Sequence, residues 1–193
     1  MEEKSKEKEI EIEIKSPITI LVLIFLSTIL FFNIRATLPN PIVFGDEAFH
    51  VTLSEWIAKY EEYFKFIPFE GTKLLREGFY RPPMWNLLLA SFYYLFGIND
   101  LIPKILVPLI TFFLGLGTFL LVKRLHNEIL GLLTSVFLVS FQSLITYTIF
   151  FYYAALLVFL STLSILSFLI YVKENNKKFL LLSFTLASLA LLT

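Results

Sequence analysis

The chain has 193 residues, 57% of them hydrophobic and 17% charged, and its 16 Lys and Arg balance 16 Asp and Glu to a formal net charge of zero. With uncharged stretches of membrane-spanning length, this composition describes an integral membrane protein and provides no basic surface for nucleic acid. The absence of Cys excludes disulfides, thiolate chemistry and Cys-ligated zinc.

Residues 1–16 alternate Glu with Lys and then Glu with Ile, which is too polar to bury a core and reads as a solvated cytoplasmic tail. Pro17 opens a charge-free run to Ile34. The run is longer than a signal-peptide core and no small-x-small cleavage site follows it, so residues 17–36 are predicted to be an uncleaved first span. Residues 37–100 connect it to the next long apolar segment. They begin with the acidic pair of Gly45-Asp46-Glu47-Ala48-Phe49-His50 and end past Tyr80-Arg81-Pro82-Pro83-Met84-Trp85.

Residues 101–193 are predicted to hold four further transmembrane segments. Leu101 to Val122 is apolar except for Lys104 and ends at Lys123-Arg124. Ile129 to Val172 then carries no charge in 44 residues. One helix of that length would reach about 66 Å against a hydrocarbon core of about 30 Å, so the segment must fold back. Its turn is expected between Gln142 and Tyr153, where Ser, Thr and Tyr give an interfacial texture. Phe179 to Thr193 begins a last span that the chain leaves unfinished, which suggests the amino-terminal part of a longer protein.

Pro83 to Gly97 decides the topology. If it spans, the two basic clusters after residues 122 and 172 fall outside; if it lies in the interface, they share the cytoplasmic side with the tail. The positive-inside rule favours the second arrangement, and fifteen residues of helix reach only about 22 Å. The predicted fold is therefore all-α: a polytopic helical membrane protein with about five spans plus two interfacial helices in the first outer loop. Its amino terminus is cytoplasmic and its acidic loop outside.

On a wheel beginning at Asp46 and advancing about 100° per residue, Phe49, Leu53, Trp56, Ile57, Tyr60 and Phe64 share roughly 100° of arc. Asp46 falls inside this stripe and His50 at its edge, while Glu55, Lys59 and Glu62 lie opposite. A carboxylate so placed faces the bundle, and charge kept against lipid is generally retained for chemistry or transport. Asp46 after Gly45 is also a good helix N-cap, and Glu47 a first-turn acid favoured by the helix dipole. An Asp46–His50 pair leaves a divalent metal open and assigns none. Pro82-Pro83 pre-sets a first helical turn. His126 reads as an ordinary solvated residue.

An uncleaved first span, an outer loop opening with Asp-Glu, and Arg-Pro-Pro entering a helix that ends in Leu-Phe-Gly resemble the amino-terminal part of the GT-C glycosyltransferases. The resemblance is to the branch of protein O-mannosyltransferases and lipid A aminoarabinose transferases, and it covers Pro17 to Thr193. It implies an inverting multi-pass enzyme of the cell membrane that takes a sugar from a polyprenyl-phosphate donor. The acceptor, a protein, lipid or glycan, would be met on the outer face among membrane lipids. By the same resemblance Asp46 matches the catalytic base and Glu47 its neighbouring acid. Arg81 matches a basic residue before Pro that would hold the leaving phosphate, a task suited to a bidentate guanidinium. As an alternative, Arg81 snorkels to lipid phosphates. His50 is assigned to substrate binding. The chain departs from the family at Thr148-Ile149-Phe150-Phe151-Tyr152-Tyr153, where a second acid is expected and none stands. A non-catalytic assembly or accessory protein, an inactive remnant and, more remotely, a transporter are the competing expectations.

Overall fold

The computed structural model describes residues 16–39, 46–61, 83–141, 144–145 and 153–193, without the side chains of residues 46 and 47. Among the described residues the protein is all-helical, with seven helices and no strand. They are α1 (Pro17–Thr37), α2 (Asp46–Tyr60), α3 (Met84–Phe96), α4 (Leu101–Leu125), α5 (Glu128–Val139), α6 (Ala154–Glu174) and α7 (Lys177–Leu191). Two helices do lie between the first and second long apolar helices.

Three helices, α1, α4 and α6, are long and apolar enough to cross a membrane. Of the about five spans expected, three helices among the described residues have the length and composition to be one. The charge-free run divides unequally, since α5 closes at Ser140 after 12 residues while α6 keeps 21. A 12-residue helix rises about 18 Å and the 15 residues of α7 about 22 Å, both short of the hydrocarbon core. The tail of residues 1–15 and most of the expected turn lie outside the described residues.

Local chemistry explains the helix ends. Pro17 occupies the first turn of α1 behind an extended Ser16, and Pro83 precedes α3. Gly97 closes α3 at φ 81°, a conformation that costs a residue with a Cβ. Asn127 accepts a hydrogen bond from the Leu130 N–H and caps α5. Asn175 ends α6 in the left-handed region at φ 53°, and Asn176 accepts from the Lys178 N–H to start α7. Two consecutive asparagines thus reverse the chain.

Helix α4 packs against α1, α5 and α6 and touches α3. Val22 and Leu26 of α1 meet Phe119 of α4 and Val139 of α5 in one buried cluster. Small residues permit this approach: a Cβ on Gly131 would lie 2.9 Å from the Phe119 carbonyl oxygen, and one on Gly115 would lie 2.6 Å from a Leu26 methyl. The Ser135 hydroxyl donates to the Gly115 carbonyl at 2.8 Å, and the Ser164 hydroxyl to the Ser183 carbonyl at 2.9 Å. These bonds join α5 to α4 and α6 to α7. Ile24, Phe31, Phe137 and Leu181 point outward and are exposed, the inverse of a water-soluble bundle and the pattern lipid requires.

The two basic clusters and their acidic partners meet at one end. Glu128 accepts from the Ser16 hydroxyl at 2.7 Å and pairs with Lys123. Arg124 forks onto Glu174, with Nε at 2.9 Å and Nη2 at 2.8 Å from its two oxygens, and its guanidinium also covers the Phe179 ring. The starts of α1, α5 and α7 therefore adjoin the ends of α4 and α6. Both basic clusters share one end of the bundle.

At the opposite end α1 and α4 exchange hydrogen bonds that each other's backbone needs. Pro108 inside α4 has no N–H to return to the Lys104 carbonyl, and the buried Thr37 hydroxyl donates to that carbonyl at 3.1 Å. In return the Lys104 ammonium donates to the Leu38 carbonyl at 3.1 Å, placing a cation at the negative end of α1. Lys104, which interrupts the span in the sequence, is a buried clamp.

Candidate functional site

The hairpin of α2 and α3 packs onto this second end. Val51 of α2 and Trp85, Leu89 and Tyr93 of α3 join Leu106, Val107 and Ile110 of α4 and Leu156 and Leu160 of α6 in a continuous buried core. The Met84 N–H donates to the Leu192 carbonyl at 2.7 Å, which fixes the start of α3 against the end of α7. The acid-headed helix and the helix that follows Arg-Pro-Pro are thereby held side by side.

Polar contacts define the α2–α3 seam. His50 is 5% exposed and Asn86 fully buried, and His50 Nδ1 lies 2.7 Å from Asn86 Oδ1. The imidazole also contacts the Tyr153 ring at 5.1 Å, just before α6, and the Phe49 ring at 5.5 Å. One turn on, the Ser54 hydroxyl donates to the His50 carbonyl at 2.6 Å. Tyr93 is buried further along α3, and its hydroxyl has no hydrogen-bond partner among the described residues. Burial first, and then the charges of Glu55 and Asp100, push its phenol well above the ordinary value.

The buried face of α2 differs from the expected stripe. His50, Val51, Leu53 and Ser54 are buried, whereas Tyr60 is 55% exposed and Phe49, Trp56 and Ile57 are half-buried. The face has turned by about 90° on the wheel, so that His50 and Ser54 are central. Val51 packs into the core with Trp85, Leu89 and Tyr93 of α3 and the His50–Asn86 bond lies on the same side, so contact with α3 sets the buried face. Glu47 occupies the helical position three before His50 and seven before Ser54, and Asp46 the position four before His50.

Of the proposed site residues, Asp46 and Glu47 open α2, with only their backbone described, and His50 sits in the seam. Arg81 lies outside the described residues, as does most of the Thr148–Tyr153 stretch. No group of three or more metal-ligating side chains exists among the described residues. Sequence reasoning missed Asn86, although a single amide in an otherwise mostly apolar and aromatic helix was the available signal. It also missed Tyr153 as a wall of the seam and the pairing of Thr37 with Lys104. Beside the seam, an open, mostly apolar groove runs between α2 and α3, its lining including Ile57, Ala58, Glu61, Leu87, Tyr94 and Leu95.

No protein-family model matches the chain, and no characterised protein or solved structure shows significant similarity to it.

Proposed function

We propose that this membrane protein works in glycosyl transfer from a polyprenyl-phosphate sugar, with the chemistry at the head of α2. The observation that carries the reading is the packing of α2, which begins with Asp46-Glu47, directly against α3, which begins after Arg81-Pro82-Pro83, at the bundle end opposite the basic clusters. In this reading the basic end is cytoplasmic and the α2–α3 end faces outward. An acceptor hydroxyl attacks the anomeric carbon with inversion, the bond from that carbon to the phosphate oxygen breaks, and polyprenyl phosphate leaves. Asp46 accepts the hydroxyl proton, which a poor nucleophile must lose. Arg81 holds the departing phosphate, and the α2–α3 groove takes the apolar chain of the donor.

The test is release of polyprenyl phosphate from a panel of polyprenyl-phosphate hexoses and pentoses in membranes carrying the protein. Asp46→Asn keeps the size and capping ability but cannot take up the proton, so turnover is expected to fall at least about 10²-fold with unchanged expression. Arg81→Ala is expected to lose more donor use than Arg81→Lys, which keeps one charge without the fork. Wild-type turnover in Asp46→Asn removes the base, and absence of release from every donor removes the reading.

A further inference from the structure

We propose that Lys177 and Lys178, at the start of α7, form a surface that takes the headgroup of an anionic lipid, with the lipid's chains lying on the exposed face of that helix. The balance of charge at this end leaves the two lysines over. Residues 123–128 and 173–178 carry five Lys and Arg against two Glu. Both carboxylates are taken, Glu128 by Lys123 and Glu174 by Arg124, and the Lys173 ammonium donates to the Leu125 carbonyl. Lys177 and Lys178 are exposed and have no ion pair among the described residues.

Their position sharpens the charge. Lys177 is the first residue of α7, so both cations stand in the first turn, where the helix dipole already presents its positive end. Asn176 accepts from the Lys178 N–H at 3.0 Å and the left-handed Asn175 sets the turn before it, which holds the two lysines in place. Cations at that end repel the dipole, and an anion beside them turns the arrangement into attraction. A phosphate group meets this need, with each lysine acting as a point charge. The face below favours a lipid over a free phosphate. Leu181 follows Lys177 by four residues and Phe184 by seven, the spacing of one helical face, and they are 71% and 63% exposed. The packed side of α7 is the opposite one, where Ser183, the helix's one buried residue, meets Ser164 of α6. A phosphate headgroup and hydrocarbon chains together belong to a membrane lipid, and the ammoniums stand over the chains at headgroup depth.

The chain has no Cys, so Leu181→Cys accepts a single fluorophore on this face. Ile129→Cys places one on exposed surface of α5 at the same end, beside the paired Lys123 and Glu128. With the full chain in phosphatidylcholine vesicles, quenching by brominated phosphatidylglycerol is compared with quenching by brominated phosphatidylcholine. A lysine near an anionic headgroup is worth about fivefold in binding, so a preference of about 10- to 30-fold for phosphatidylglycerol is expected at position 181, and a clearly weaker one at 129. Lys177→Gln with Lys178→Gln is expected to bring 181 down to the level of 129 while quenching by phosphatidylcholine stays unchanged. Lys177→Arg with Lys178→Arg is expected to keep the preference. Equal quenching by the two lipids at 181 in the parent overturns the proposal, and so does a preference that survives the double Gln variant. Inorganic phosphate is expected to act no differently from chloride of equal ionic strength; loss of the preference in phosphate alone assigns the lysines to free phosphate and overturns the lipid. Residues 1–15 hold six Glu and four Lys, and a preference that emerges only after residues 2–15 are deleted gives the lysines to that tail and overturns the proposal equally. None of these readouts involves sugar transfer, so the outcome of the transferase assay does not bear on them.

Discussion

Replacing Thr37 by Val removes a single hydroxyl at nearly constant volume from a side chain with no exposed surface. That hydroxyl has one hydrogen, shared between the Ile34 carbonyl at 3.0 Å and the Lys104 carbonyl at 3.1 Å. Ile34 lies one turn before Thr37, whereas Lys104 belongs to α4 and has lost its usual donor to Pro108. Leaving a buried carbonyl short of a donor costs about 1–3 kcal/mol, and interhelical hydrogen bonds in membranes average about 0.6 kcal/mol, so about 1 kcal/mol is expected. The second arm of the cycle is Pro108→Ala, which restores an N–H four residues after Lys104. In that background the loss caused by Thr37→Val is expected to shrink to a few tenths of a kcal/mol, a coupling of the order seen for residues sharing one network. Equilibrium unfolding in mixed micelles with increasing SDS measures all four proteins, and Thr37→Ser serves as the control that keeps the donor. Equal losses in the two backgrounds refute the exchange between α1 and α4, and a neutral Thr37→Val refutes the contribution of the hydroxyl altogether.

Single cysteines at positions 70, 126 and 175 of this Cys-free chain are expected to divide under an impermeant thiol reagent, with 70 alone labelled from outside; equal labelling at 126 reverses the orientation. Gly131→Ala is expected to cost about 1–3 kcal/mol, since its methyl meets backbone atoms of α4, and Gly115→Ala less, since its methyl meets movable side-chain ends; the same unfolding assay checks the order, and the reverse order contradicts the packing. Tyr93→Phe removes a buried hydroxyl that lacks a partner among the described residues, so stability is expected to stay within about 0.5 kcal/mol or to rise; a loss near 2 kcal/mol would mean that the hydroxyl is bonded.

Much of the architecture was legible along the chain because each signal was local. Long apolar runs located α1, α4 and α6, the second broken only by Lys104, and Pro83 and Gly97 bracketed α3 where the short length had suggested a non-spanning helix. The basic clusters were expected on one side, and the Arg124–Glu174 pair joins the helix ends that carry them. The acidic head of α2 was also visible, since a Gly-Asp-Glu start followed by amphipathic spacing depends on the nearest turn alone.

The seam was not legible. A helical wheel assigns a buried face by assuming that the other face meets water, and in α2 that assumption turned His50 to an edge although it lies at the centre. Asn86 follows His50 by 36 residues, and Lys104 follows Thr37 by 67. Nothing in the sequence around either residue names its partner. The sequence by itself determined which segments are helical and where charge stands along them, because helix formation and lipid partition depend on runs of neighbouring residues. Only the tertiary structure decided which polar groups meet, because a buried donor is satisfied by whatever acceptor the packing brings within about 3 Å, and packing is a property of the whole bundle.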